Sequence, residues 1–147
     1  MVSLKQLAPS LGILIIPIEL SSADGLRRAF DQMKQTQTQA LLVVSGVLTY
    51  VSIRETVDLA LANRLPSCHG FKEAVAAGGL ISLGPDLVSL GRQGARLVDK
   101  IIRGGAPKDL PVEQPTQYLM SINLKTAKAL GLEMPATLLA RADEVIE

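Results

Sequence analysis

Cys68 and His69 stand side by side, and the 147-residue chain contains no other cysteine or histidine. A thiol beside an imidazole can lose its proton and attack an electrophilic carbon. Consecutive residues of an extended strand point to opposite faces, however, so this imidazole is not directed at that thiol. Cys68 then reads as a small core residue. One cysteine and one histidine cannot fill a structural zinc site without several carboxylates, and a lone cysteine forms no internal disulfide. Gly84, Gly91 and Gly94 match neither a phosphate-binding loop nor a dinucleotide fingerprint. Glu55 and Asp58 fall on one face of a helical pattern and are most simply solvated charges. These residues give no ground for assigning a catalytic group, a metal ligand or a cofactor.

What remains is chemistry suited to holding a molecule, and the elements must place it. Leu4, Leu7 and Leu11 repeat at helical spacing, with Gly12 able to close the helix in a left-handed turn. Ile13 to Leu20 is a continuous aliphatic run, the pattern of a strand buried on both faces, with Pro17 implying an irregular neighbour. Ser21 to Asp24 has the spacing of a capping box before a helix carrying Leu26, Phe30 and Met33. Ala40 to Val44 reads as a strand, Leu48 to Asn63 as a helix and Leu65 to His69 as a short strand. Phe71 to Ala77 reads as a short helix and Leu80 to Leu83 as a further strand. Asp86 to Arg103 is a long helix with an inner stripe of Leu87, Leu90, Leu97, Val98 and Ile101; Arg92, Arg96, Lys100 and Arg103 form its wet face. Gly91 and Gly94 would let something approach that helix closely. Lys108 to Thr116 is an extended crossing, and Tyr118 to Asn123 a half-exposed strand. Asn123 caps a helix from Leu124 to Leu130, and a last helix spans Ala136 to Asp143.

This alternation implies an α/β fold with a mainly parallel sheet. Ligands of such sheets contact the loops at the carboxyl ends of the strands. The candidates are therefore Ser21, Ser45, Gly46, His69, Gly70, Leu83 and Gly84. Ser45 can donate and accept a hydrogen bond, and Gly46 and Gly70 let backbone amides approach a ligand. Ser45 could equally serve as a helix cap, and the glycines could be there for turn geometry.

Apolar residues make up 48% and charged residues 20% of the chain, which places it among globular rather than disordered proteins. Net charge is +1, and no dense Lys/Arg cluster offers the footprint of a nucleic-acid binder. No apolar run is long enough to span a bilayer, and the first residues lack the pattern of a signal peptide.

Several consecutive segments resemble a known family. GGLISLGPDLVSLGRQGARLVDKIIRG, DLPVEQPTQY, INLKTAKALGL and LLARADEVIE are similar to the carboxy-terminal end of bacterial ABC-transporter substrate-binding proteins of the tryptophan/tyrosine-binding type. The pattern LPxxxGFxEAVxAGGL at Leu65 to Leu80 fits the same family. The resemblance implies a type I periplasmic binding fold: two α/β lobes with a small-molecule solute, such as an amino acid, in the cleft between them. It implies an ABC permease as partner, a periplasmic location and no catalytic step. Mapped onto this chain, 1–79 would form the core of the carboxy-terminal lobe, 80–110 a strand and helix of the other lobe, and 111–147 a return segment. Most of the amino-terminal lobe, and the first strand of the second, would be absent.

Three expectations follow. The apolar face of the 86–103 helix, shaped for a missing neighbour, would drive homo-oligomerisation. The chain departs from the family at Gly46, where an acidic residue is frequent, and at the positions of His69 and Leu83, where aromatics are frequent; amine recognition and ring stacking would suffer. With no export signal, the chain would stay in the cytoplasm if Met1 is the true start. A rival reading is a repurposed half-domain whose self-association is its main property. A third is a small-molecule hydrolase on a flavodoxin-like sheet.

Overall fold

The computed structural model describes residues 2–147. Helix α1 (Val2–Leu7) runs into a 3-10 turn (Ala8–Leu11) closed by Gly12 at φ +66°, the left-handed stop its glycine permits. Helix α2 (Leu26–Gln35) leads to strand β1 (Leu41–Val43). Helices α3 (Val47–Val51) and α4 (Ile53–Ala62) lead to β2 (Ser67–His69), and α5 (Lys72–Ala76) to β3 (Ile81–Pro85). The long helix α6 (Leu87–Ile102) is followed by a return segment, β4 (Tyr118–Asn123), α7 (Leu124–Leu130), α8 (Ala136–Leu139) and β5 (Glu144–Ile146).

The five strands form one sheet in the order β1-β2-β3-β4-β5. β1 and β2 are parallel, as are β2 and β3; β4 runs antiparallel to β3 and parallel to β5. The fold is thus α/β with a mostly parallel sheet. The largest hydrophobic cluster lies on one face, while Ile122 of β4 is fully buried on the other. Leu26, Ala29, Phe30 and Met33 of α2 meet Ala60 of α4 and Leu65, with Leu41 of β1 packed against them. The amphipathic spacing of α2 dictates this burial. α5 covers the same face further along, where Ala74 and Val75 are buried. On the opposite face Leu42, Val44 and Leu83 share a side by register and are each more than half exposed.

Several expectations need correction. Ile13 to Leu20 is not a strand: it carries no ladder, because no strand lies beside it. The expected capping box is not formed; the N-cap of α2 is Gly25, with no side-chain cap bond. The helix expected from Leu48 to Asn63 breaks at Ser52 into α3 and α4. β3, at the start of the 80–110 segment, pairs with β2 on one side and β4 on the other. The last helix stops at Leu139, and Glu144–Ile146 form β5, anchored by Met120 N–H donating to Asp143.

Two caps follow the sequence closely. Asp86 accepts from the N–H groups of Val88 and Ser89 at the start of α6. Asn123 accepts from Thr126 N–H at 3.0 Å, and Gly131 closes α7 at φ +74°. α6 buries none of its sixteen residues. Gln93 and Arg96 on its flank both donate to the Glu113 carboxylate, tying the return segment to the helix.

Candidate functional site

Three loops meet at the carboxyl ends of the parallel strands. After β1 come Ser45 and Gly46, after β2 Gly70 and Phe71, and at the end of β3 Gly84. They touch. A Cβ on Gly70 would lie 1.7 Å from Ser45 Oγ, and one on Gly84 would lie 1.7 Å from the Gly70 carbonyl oxygen. These two glycines are therefore required by close packing of loop on loop. Gly46 differs: its φ is −170°, ordinary extended backbone, and a Cβ there would meet only Thr49 Oγ1 at 3.8 Å. No steric need explains that glycine.

Beside this junction is a cavity of about 350 Å³ lined by Ser45, Gly46, Val47, Tyr50, Phe71 and Leu87. Tyr50 and Phe71 pack edge to face with centroids 5.2 Å apart, a favourable aromatic geometry. Two of the chain's four aromatic side chains thus form an apolar wall at the strand ends. Ser45 does not cap a helix: the N-cap of α3 is Gly46, without a side-chain cap bond. Thr49 instead secures the turn, its hydroxyl donating to the Val44 and Gly46 carbonyls.

Of the candidates read from the sequence, the structure brings together Ser45, Gly46, Gly70 and Gly84. Only Ser45 and Gly46 line the cavity; Gly70 and Gly84 lie at the adjoining junction, and the other three candidates are elsewhere. Ser21 is exposed in the loop before α2, at the end of the unpaired 13–20 run. Leu83 projects from the bare face of the sheet. His69 is turned into the core, only 4% exposed, with Nε2 sharing a hydrogen bond with Ser67 Oγ at 2.9 Å. Burial pulls its pKa down to about 4, since the charged imidazolium would lose its water. Cys68 faces the other side of the strand, and burial raises the thiol pKa, which leaves it a poor nucleophile. Tyr50, Phe71, Val47 and Leu87 were not singled out. The available signal was position: Phe71 directly follows the Gly70 loop, and Tyr50 lies one helical turn beyond Gly46.

A larger groove, about 750 Å³, runs between α6 and the return segment at residues 113–116. Its one carboxylate, Glu113, is held below its ordinary pKa by the Gln93 amide and the Arg96 guanidinium. That charge is engaged within the chain, and the groove lies away from the strand ends. We therefore take the smaller, aromatic cavity as the candidate site. Among the described residues no group of three or more His, Cys, Asp or Glu is placed to hold a metal ion. No helix among them is long and apolar enough to cross a membrane.

A profile of the family described as "ABC transporter substrate binding protein" matches residues 1–146. The chain belongs to that family. Its fold is also that of solved substrate-binding structures. It superposes with a TM-score of 0.89 on a domain from Streptococcus pneumonia described as an ABC domain in complex with L-Trp, at 23% identity. A conserved domain protein from Vibrio cholerae gives 0.87 at 24% identity. A ligand-free, open substrate-binding protein with adhesive properties from Clostridium difficile gives 0.64 at 22% identity. Each likeness covers 98% of this chain and only 48–50% of the other. An uncharacterized protein from Rickettsia prowazekii is 27% identical over 89 residues, 60% of this chain and 29% of that protein. The chain thus spans about half the length of the solved family structures it matches, and less of the curated relative.

Proposed function

We propose that this chain supplies one wall of a solute-binding cleft in an ABC importer, gripping a small organic solute such as an amino acid without altering it. The observation that carries the reading is the Tyr50–Phe71 pair beside Ser45 and Gly46 at the strand ends. The apolar part of the solute rests on the two rings. The Ser45 hydroxyl and the backbone around Gly46 and Gly70 offer hydrogen bonds. The cavity lining holds no charged side chain, so this wall contributes no ion pair to the solute. A second lobe closes the cleft, and the closed receptor docks on a permease, both in the periplasm. The two-lobe partition, with α6 reaching across to the other lobe, belongs to this proposal. The neighbour that holds L-Trp supports an amino acid as solute.

With one wall only, affinity is low, because a solute enclosed on one side buries little of its surface. Titration of the chain with L-tryptophan, followed by amide NMR, is expected to shift Gly46, Tyr50, Gly70 and Phe71 with millimolar affinity. Tyr50→Ala with Phe71→Ala should abolish those shifts. Micromolar affinity in calorimetry, or shifts confined to the α6 groove, would refute the assignment.

A second reading is favoured by α6, whose Val88, Val98, Ile101 and Ile102 are all exposed. On this reading the half-domain self-associates through that helix, an unpartnered apolar stripe being uncommon on a stable monomer. Sedimentation should then show a homodimer at micromolar concentration that Val98→Glu with Ile101→Glu dissociates. A monomer throughout removes this reading.

A further inference from the structure

The groove between α6 and the return segment shares no lining residue with the aromatic cavity. It encloses about 750 Å³ between two different walls. One is the polar flank of α6, which presents Ser89, Arg92, Gln93 and Arg96. The other is the extended chain at residues 113–116. Every lining side chain except Pro115 can donate or accept a hydrogen bond.

Charge on this flank is unbalanced. Arg92, Arg96 and Lys100 follow one another at four-residue spacing, which stacks them on one side of the helix, and like charges so placed repel. Glu113 answers one of them. Its carboxylate accepts from Arg96 Nη2 and from Gln93 Nε2, the latter at 2.6 Å. Among the described residues no carboxylate lies within 4 Å of the exposed Arg92 guanidinium. The bond to Glu113 also prepares Arg96 for a second anion. A long side chain already held at one end has less rotamer freedom left to lose on binding. Its Nε and Nη1 groups make no hydrogen bond among the described residues. A carboxylate between the two guanidinium groups would accept from both, the charge-assisted geometry that arginine favours.

Length narrows the occupant. Ser89 and Arg96 stand about 10 Å apart along the helix axis, at 1.5 Å per residue. An extended peptide covers that distance with about three residues. A phosphate ion or a lone carboxylate would leave most of the groove to water.

We infer that this groove docks a short acidic segment of a partner protein, laid extended between α6 and residues 113–116, with one carboxylate seated between Arg92 and Arg96. The Ser89 and Thr116 hydroxyls and the Gln114 amide, all in the lining, offer hydrogen bonds to the backbone of that segment. The inference does not depend on which solute the aromatic cavity takes.

The test titrates the full chain with the blocked peptide Gly-Asp-Glu-Asp-Gly and follows amide and side-chain NMR signals. Saturable shifts are expected at Arg92, Gln93, Gln114 and Thr116, with Tyr50 and Phe71 unmoved. The uncharged peptide Gly-Asn-Gln-Asn-Gly should shift none of them. Raising the ionic strength from about 0.02 M to about 0.2 M should weaken binding at least about three-fold by screening. Arg92→Gln alters an exposed side chain and should weaken binding about ten-fold. Lys108→Gln, a cation outside the groove, should leave it unchanged. No shifts in the groove overturn the inference, as does an equal loss in the Lys108 variant, which would mean diffuse attraction. So does inorganic phosphate binding as tightly at the same residues, which would make the groove a small-anion site. Groove shifts that grow with protein concentration in the absence of peptide would make a second copy the occupant and overturn it too.

Discussion

Acidification should destabilise this protein through one buried side chain. His69 is the chain's one histidine, so no other histidine contributes between pH 7 and 5. Its imidazole is 4% exposed and bonded to Ser67, with a pKa lowered from 6.5 to about 4 by burial. The folded pKa lies below the unfolded one, so the unfolded chain binds the proton more readily. Stability is therefore complete above pH 6.5 and falls as pH drops toward 4. One pKa unit corresponds to about 1.4 kcal/mol, so the whole loss is about 3 kcal/mol, of which about 2 kcal/mol falls between pH 7 and 5. That is a large share of the ~5–15 kcal/mol that holds a typical domain. Urea unfolding followed by circular dichroism should show the midpoint dropping by about 1 M between those pH values, at an m-value of about 2 kcal/mol/M. His69→Gln should unfold earlier at pH 7 but lose this slope. Equal slopes in both proteins, or a native imidazole that titrates near 6.5 by NMR, would show that burial does not hold this side chain neutral.

The remaining predictions concern glycines and one cap. Gly46→Asp places a carboxylate where a Cβ meets only Thr49 Oγ1, so the variant should fold normally and bind 2-phenylethylamine about ten-fold more tightly, a gain of roughly 1.4 kcal/mol; NMR titration measures it, with phenylacetate gaining nothing. Gly84→Ala drives a methyl into the Gly70 carbonyl and should cost at least about 2 kcal/mol in urea unfolding. Gly91→Ala and Gly94→Ala, in α6 with nothing within 4 Å, should each stabilise by about 0.8 kcal/mol in the same assay. Asn123→Ala removes both the Thr126 cap and a buried bond to the Val75 carbonyl at 3.2 Å; the expected loss is about 2–3 kcal/mol, with early exchange of α7 amides.

Local chemistry explains what could be read from the residues alone. The stop at Gly12, the Asp86 and Asn123 caps and the left-handed Gly131 follow from groups within a few positions of one another. So do the periodic faces of α2 and α6, and hence the α/β class. The amphipathic pattern of α6 was also legible, and the helix buries none of its residues in this fold. Ser45, Gly46, Gly70 and Gly84 could be proposed because parallel strands deliver their loops to one end of a sheet.

Contacts between distant positions settled the rest. An aliphatic run such as Ile13 to Leu20 becomes a strand only if a neighbour completes its hydrogen bonds, and none does so here. β5 lies outside every element expected from the sequence, because three residues carry little periodicity and their pairing with Ser121 to Asn123 is non-local. The orientation of His69 depended on register, which set it beside Ser82 and beneath α5 rather than in the cavity. The aromatic wall of Tyr50 and Phe71 exists because helix α3, after β1, and the loop after β2 converge at the strand ends. Sequence determined which segments could be helices, caps and turns, since those bonds close within a few residues. Tertiary structure alone decided which strand edges are paired and which side chains line the cavity, since both depend on partners far along the chain.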